Sequence, residues 1–405
     1  MAIDLPAVYR YCKKPLARKE FRYDQLVRRG IISGQEQRKL EALRFFKSGQ
    51  GMKERFIGAL NEADESFADD IRRVYQMHED PVDVAMFSQI CMLEHGVFAD
   101  FNRPNSSGIV INSDMVGDVP VLIVLGEINE SDKNVYSGRV TLDHSAGIDS
   151  AVVYATAAIE EMTEMFRLWL SPLINLNRMS LEAQFACWKD EPMERKIDEI
   201  ISGIIDLPDV STAEVLRMWS DRKLLDEYRE IKERSDTPEA AVMDIADLHL
   251  RSAKVHELAH LLERKANRAL PNADERWFTL TDVHRELFAY LIQACFLNSG
   301  LAFRMLTDRK DIDLEFDLSS FDRDIDRLGL VALLEDETVL RRWAFKELRK
   351  LCSRFYGMEP GEIFDMGLIH SAAQTRIVTS QNFPLIEEAI HHNPELNGKM
   401  REQAA

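Results

Sequence analysis

From Thr237 to Leu262 the chain keeps one unbroken helical period, and inside it KVHELAHLLERK (254–265) sets two histidines four residues apart with a glutamate between them. Thr237 is placed to cap this helix. Pro238 takes the first helical position, where its missing N–H costs nothing, and Glu239 lies beside the positive end of the dipole. Ala241, Ile245, Leu248, Ser252, Val255, Ala259 and Leu262 then recur at three-to-four spacing, forming a small or apolar stripe that needs a core to pack against. His256 and His260 stand next to that stripe. Residues four apart on a helix project from one face, about 6 Å apart, so both imidazoles can reach a single metal ion. Glu257 is turned by about 100° from His256, which aims it beside such an ion, toward a bound water. His249 shares nearly the same face, but seven residues at about 1.5 Å rise put it some 10 Å away, too far for the same ion, and Glu263 has the same problem in the other direction.

A catalytic zinc site takes three protein ligands and keeps one position open. The following segment, TDVHRELFAYLIQACFL (281–297), is mostly apolar, yet Asp282, Glu286 and Gln293 recur at four and seven residues as a thin polar line. A buried carboxylate is costly unless it is paired or binds a metal. Glu286 is therefore the best third ligand, and the intervening residues suffice for a turn that brings the second helix back antiparallel to the first. His284 is the rival, although its position on the far side of the helix suits a second-layer or substrate-contacting role as well.

With these residues in place, the segment 254–297 resembles the zincin metallopeptidases, in the gluzincin arrangement of HExxH on one helix and a glutamate on the next. HELAH followed by ELFAYL is also distantly similar to the intracellular ImmA/IrrE-type peptidases. The metzincin pattern is absent, since Arg264 and Lys265 stand near where its glycine belongs and no third histidine follows. The resemblance implies a hydrolase in which His256, His260 and Glu286 hold Zn2+ and the ion acidifies a water. Glu257 would take that water's proton and pass it to the leaving amine, and Tyr290 or His284 would donate to the developing oxyanion. The implied partner is a peptide or protein substrate lying extended along a sheet edge.

The only sheet candidate lies between 108 and 142, where GIVIN, VPVLIVLGEI and NVYSGRVTL are β-branched segments divided by turn residues and suggest three antiparallel strands. Elsewhere helical patterning covers about 36–100, 148–170, 180–205, 211–234, 238–266, 281–298 and much of 320–392. The expected fold is thus mainly α with a small antiparallel sheet, an α+β chain with a zincin-like metal site between two helices. Its expected regions are a helical N-terminal part (1–100), a metallopeptidase domain (101–300) and a helical C-terminal part (301–405).

Charge and cysteine usage narrow the function classes. The first 60 residues hold 14 Lys and Arg against 6 Asp and Glu, while the whole chain carries a net charge of −18. The acidic body makes extended nucleic-acid binding unexpected, and the basic head reads as solvated helix faces. The five cysteines are odd in number and lack CxxC spacing, which fits neither a disulfide framework nor a thiolate zinc site. No apolar run reaches the length of a membrane span, and no basic start precedes an apolar leader. A cytoplasmic protein is expected. Two other readings compete with the peptidase. One is a non-catalytic helical interaction or regulatory protein, in which HELAH is structural or binds metal without turnover. The other is a di-iron site using the ExxH pairs Glu257 with His260 and Glu388 with His391, completed by Glu160 or Glu164.

Overall fold

The computed structural model describes residues 23–47, 53–70, 95–99, 107–116, 119–126, 138–141, 150–155, 195, 212–270, 282–297, 300–308 and 337–374. The chain divides into two compact units, one formed by 1–161 with 368–405 and the other by 162–367. Most described residues are helical, and the strands make one small sheet, so the fold is α+β. The helix expected over 180–205, Arg195 apart, lies outside the described residues, as do Glu160, Glu164, Glu388 and His391. Among the described residues no helix is long and apolar enough to cross a membrane.

In the first unit, α1 (Tyr23–Arg28), α2 (Gly34–Lys47) and α3 (Lys53–Glu62) precede the sheet. Ser33 and Glu36 form a capping box at the start of α2: the Ser33 hydroxyl accepts from the Glu36 N–H at 3.2 Å, and the Glu36 carboxylate accepts from the Ser33 N–H at 2.5 Å. α2 packs on the strands β1 (Val97–Ala99) and β2 (Ser107–Val116). The sheet continues with β3 (Val119–Gly126), β4 (Gly138–Thr141) and β5 (Ser150–Tyr154) in the order β1-β2-β3-β5-β4.

This order corrects two expectations. The sheet is mixed rather than three-stranded and antiparallel, because β5 lies between β3 and β4 and runs parallel to β3, with Val121 opposite Ala151. The segment from 148, expected to begin a helix, instead supplies that interior strand. Its residues Ala151, Val152, Val153 and Tyr154 are all buried, on both faces of the sheet. A strand covered on both faces has no polar alternation to betray it, and its β-branched and aromatic side chains favour the pleat. β1 likewise falls at the end of a stretch expected to be helical up to residue 100.

The second unit is helical where described: α4 (Thr212–Arg234), α5 (Pro238–Ala269), α6 (Asp282–Leu297), α7 (Gly300–Asp308) and α8 (Glu337–Tyr356), followed by α9 (Pro360–Gln374), which begins in it. The start of α5 is as expected: the Thr237 hydroxyl accepts from the Ala240 N–H at 3.1 Å, with Pro238 behind it. α6 is the centre of the unit. It packs against α5, α7 and α8 and buries Leu287, Phe288, Leu291, Ile292 and Cys295 in their shared core. Cys352 of α8 joins the same cluster as a free thiol, as does Cys295.

α7 approaches α4 so closely that only glycine fits at its first position. A Cβ on Gly300 would lie 2.4 Å from the Leu224 nitrogen and 2.6 Å from the Ser220 carbonyl oxygen. The Glu227 carboxylate receives the Gly300 N–H at 2.9 Å, and Arg304 pairs with Asp221 at 2.7 Å, so polar bonds fix the same contact. α4 also meets α5 through a buried hydrogen bond of 2.9 Å between the Tyr228 hydroxyl and His249 Nε2. Burial alone lowers the pKa of His249 to about 3.

Two measurements test this packing. Gly300→Ala should destabilise by about 1–3 kcal/mol, the cost of overpacking against backbone. Gly34→Ala, at the start of α2 with nothing near its Cβ, should be neutral or stabilise by up to about 1 kcal/mol through helix propensity; denaturant midpoints decide both. For His249, the folded protein binds its proton only near pH 3 whereas the unfolded chain binds it near the ordinary value of 6.5. Stability from this site is therefore full above pH 6.5 and is lost as pH falls toward 3, at up to about 1.4 kcal/mol per pH unit. In metal-free protein, His249→Gln should flatten the fall in unfolding free energy between pH 6 and 4 relative to wild type.

Candidate metal centre

α5 and α6 pack against each other, and the histidines of HELAH face the glutamate of α6 across the contact. His256 Nε2 and His260 Nε2 are 3.0 Å apart. Each lies 3.4 Å from a different oxygen of Glu286: His256 from Oε2 and His260 from Oε1. The rings of the two histidines stand nearly perpendicular, at 85°. Ligand atoms bound at about 2.0–2.1 Å in a tetrahedral zinc site are separated by about 3.3–3.4 Å. Each histidine nitrogen therefore stands about one such edge length from a carboxylate oxygen, and the ligand atoms of all three residues lie within 4.8 Å of one another. Glu286 is the most accessible of the three, with 29% of its side-chain surface exposed against 7% for His260, so the centre is open to solvent on the carboxylate's side.

Chemistry agrees with geometry. Two imidazole nitrogens 3.0 Å apart repel when both present lone pairs, and they also clash when both carry hydrogens. One hydrogen shared between them, or a metal ion, resolves the conflict. In the metal-free protein that proton belongs to His256. Burial works against the His256 imidazolium, but the hydrogen bond to Glu286 and the charges of Glu257 and Glu286 outweigh it and raise the pKa above its ordinary value. His260 is driven the other way, to about 4, first by burial and then by its cationic neighbours. Burial by itself would raise the Glu286 pKa, yet the two imidazoles hold the carboxyl well below the usual range, so it is ionised. Two nitrogens and a carboxylate oxygen form a donor set that could hold a metal ion, and no other group of three or more His, Cys, Asp or Glu side chains among the described residues converges in this way.

Behind the ligands, Gln293 of α6 faces His256 Nδ1 with its Oε1 at 3.2 Å, and its amide nitrogen donates to the Ser252 carbonyl at 2.7 Å and to the Ser252 hydroxyl at 2.8 Å. Asp282 and Gln293 were legible only as a polar line with Glu286. The pairing of Gln293 with His256 is new, and the one signal for it is a polar residue two turns beyond Glu286 on an apolar helix. His260 Nδ1 is buried with no hydrogen-bond partner.

The remaining expected site residues separate. Glu257 is 7% exposed and close enough for its charge to act on His256. Tyr290, one turn after Glu286, packs its ring on His256 at 4.6 Å between centroids. His284 is buried elsewhere on α6, with its ring 4.4 Å from that of Phe355, and does not belong to the three-residue group. His249 is occupied by Tyr228. Glu263 is fully buried and accepts a hydrogen bond from the Tyr356 hydroxyl of α8; burial raises its pKa, against the opposing pull of Tyr356, Arg285 and Arg264. The strands expected to guide an extended substrate belong to the other unit.

No protein-family model, curated protein or solved structure matches this chain.

Proposed function

We propose that the chain is a zinc-dependent metallopeptidase of gluzincin-like design. The observation that carries this reading is the convergence of His256 Nε2 and His260 Nε2, 3.0 Å apart, on the Glu286 carboxylate, each 3.4 Å from one of its two oxygens. These three residues would hold the ion, which when bound supplies a Lewis acid and an acidified water. Glu257, next to the first ligand in HELAH, is the general base: it accepts a proton from the attacking water and returns it to the departing amine. Its burial keeps competing solvent away from that exchange. Tyr290, packed on His256, is the candidate donor to the developing oxyanion. The substrate is a peptide or protein segment, and the ionised Glu286 marks the accessible side of the centre.

Two substitutions test the centre and its chemistry separately. Glu286→Ala should lower zinc affinity by orders of magnitude, because two histidines alone leave the site short of a ligand, whereas His284→Ala should bind zinc close to wild type. Metal titration of the purified variants reads this directly, and the reverse ranking would move the ligand role to His284. Glu257→Gln keeps the side-chain shape and should retain zinc while turnover falls by roughly a hundredfold or more. Comparing proteome-derived peptide cleavage by wild type and Glu257→Gln checks it. Identical cleavage profiles with zinc bound in both would leave a metal-stabilised interaction protein.

A further inference from the structure

We propose that Gln293 is a positioning residue of the metal centre, one that locks the His256 ring with hydrogen on Nδ1 and thereby commits Nε2 to the ion. The inference rests on the metal reading of the preceding section and adds to it the residue that decides which nitrogen ligates.

The assignment follows from what each atom can do. The Ser252 carbonyl oxygen accepts hydrogen bonds and donates none, so the Gln293 atom 2.7 Å away must be the amide nitrogen. A flipped amide would set two oxygens against each other at that distance. With the nitrogen fixed there, and held a second time by the Ser252 hydroxyl at 2.8 Å, the atom that faces His256 Nδ1 at 3.2 Å is an oxygen and requires hydrogen on Nδ1. The neutral ring then has its lone pair on Nε2, the atom that faces His260 and Glu286. Ser252, His256 and His260 are spaced four residues apart on α5, so one side chain from α6 both ties the two helices together and orients the first ligand.

The same geometry explains why an amide occupies a place where metal-bound histidines commonly meet a carboxylate. An ionised carboxylate at 293 would place an oxygen against the Ser252 carbonyl. Glutamine donates to that carbonyl and accepts from the imidazole at once. It is 3% exposed, so water does not readily replace it. His260 has no corresponding partner on Nδ1, and the orientation of the pair depends on His256.

Titration of the metal-free full chain with Co2+, followed by its visible absorption, tests the proposal. Wild type should bind one equivalent, and His256→Ala should abolish binding. Gln293→Met removes the hydrogen bonds at similar volume and should weaken Co2+ binding roughly ten- to hundredfold and shift the absorption bands. Gln293→Asn, too short to reach Ser252 and His256 together, should do the same and serves if the methionine variant does not fold. Ser252→Ala removes one hydrogen bond but keeps the carbonyl that orients the amide, so it should bind Co2+ about as tightly as wild type while losing some metal-free stability. Tight binding with unchanged bands in both Gln293 variants would overturn the positioning role and leave the metal centre standing. Absence of Co2+ binding by wild type would overturn both.

Discussion

Two imidazole nitrogens held 3.0 Å apart in the protein interior need either one hydrogen or a cation between them. That constraint organises the second unit. α5 supplies both rings at the one helical spacing that lets them converge, and α6 supplies the negative charge that makes a cation welcome there. Without the carboxylate, burial would favour the neutral form of His256. Without the histidines, burial would push Glu286 toward its neutral form. Each group is ionisable in place only because of the others.

Holding such a group requires helices that do not slide, and the polar contacts around the centre do this work. Gln293 spans from α6 to two points on α5, and Tyr356 of α8 donates to Glu263, one turn beyond His260. Arg285, adjacent to Glu286 in sequence, contributes charge to the same buried carboxylate. A partly satisfied polar network inside a core is costly, which gives it specificity: few other registers of α5 against α6 and α8 would pair these groups at all.

The legible part of the site was the part governed by local geometry. HELAH places its two histidines together because residues four apart on a helix share a face, and Glu286 stands out as a carboxylate on a mostly apolar helix. Thr237 and Pro238 mark the start of α5 by rules that need no tertiary contact. Gln293 was visible as polar but not as a partner, since its reach to Ser252 depends on the register between two helices. The sheet was harder still. SAVVY is too short and too uniformly apolar to be told from a buried helical turn by periodicity, and nothing in β3 or β4 says that a later strand will come between them.

That late strand changes how the sheet is held. β1, β2 and β3 form one antiparallel run, and β4 with β5 form a separate hairpin; the two meet only along the parallel seam between β3 and β5. Along that seam the parallel backbone ladder is backed by packed apolar side chains, Leu122 and Val124 on one strand and Val152 and Tyr154 on the other. A slip of one residue there would turn every one of them to the opposite face. The small sheet is thus two antiparallel pieces whose union depends on one short parallel ladder and the apolar side chains packed along it.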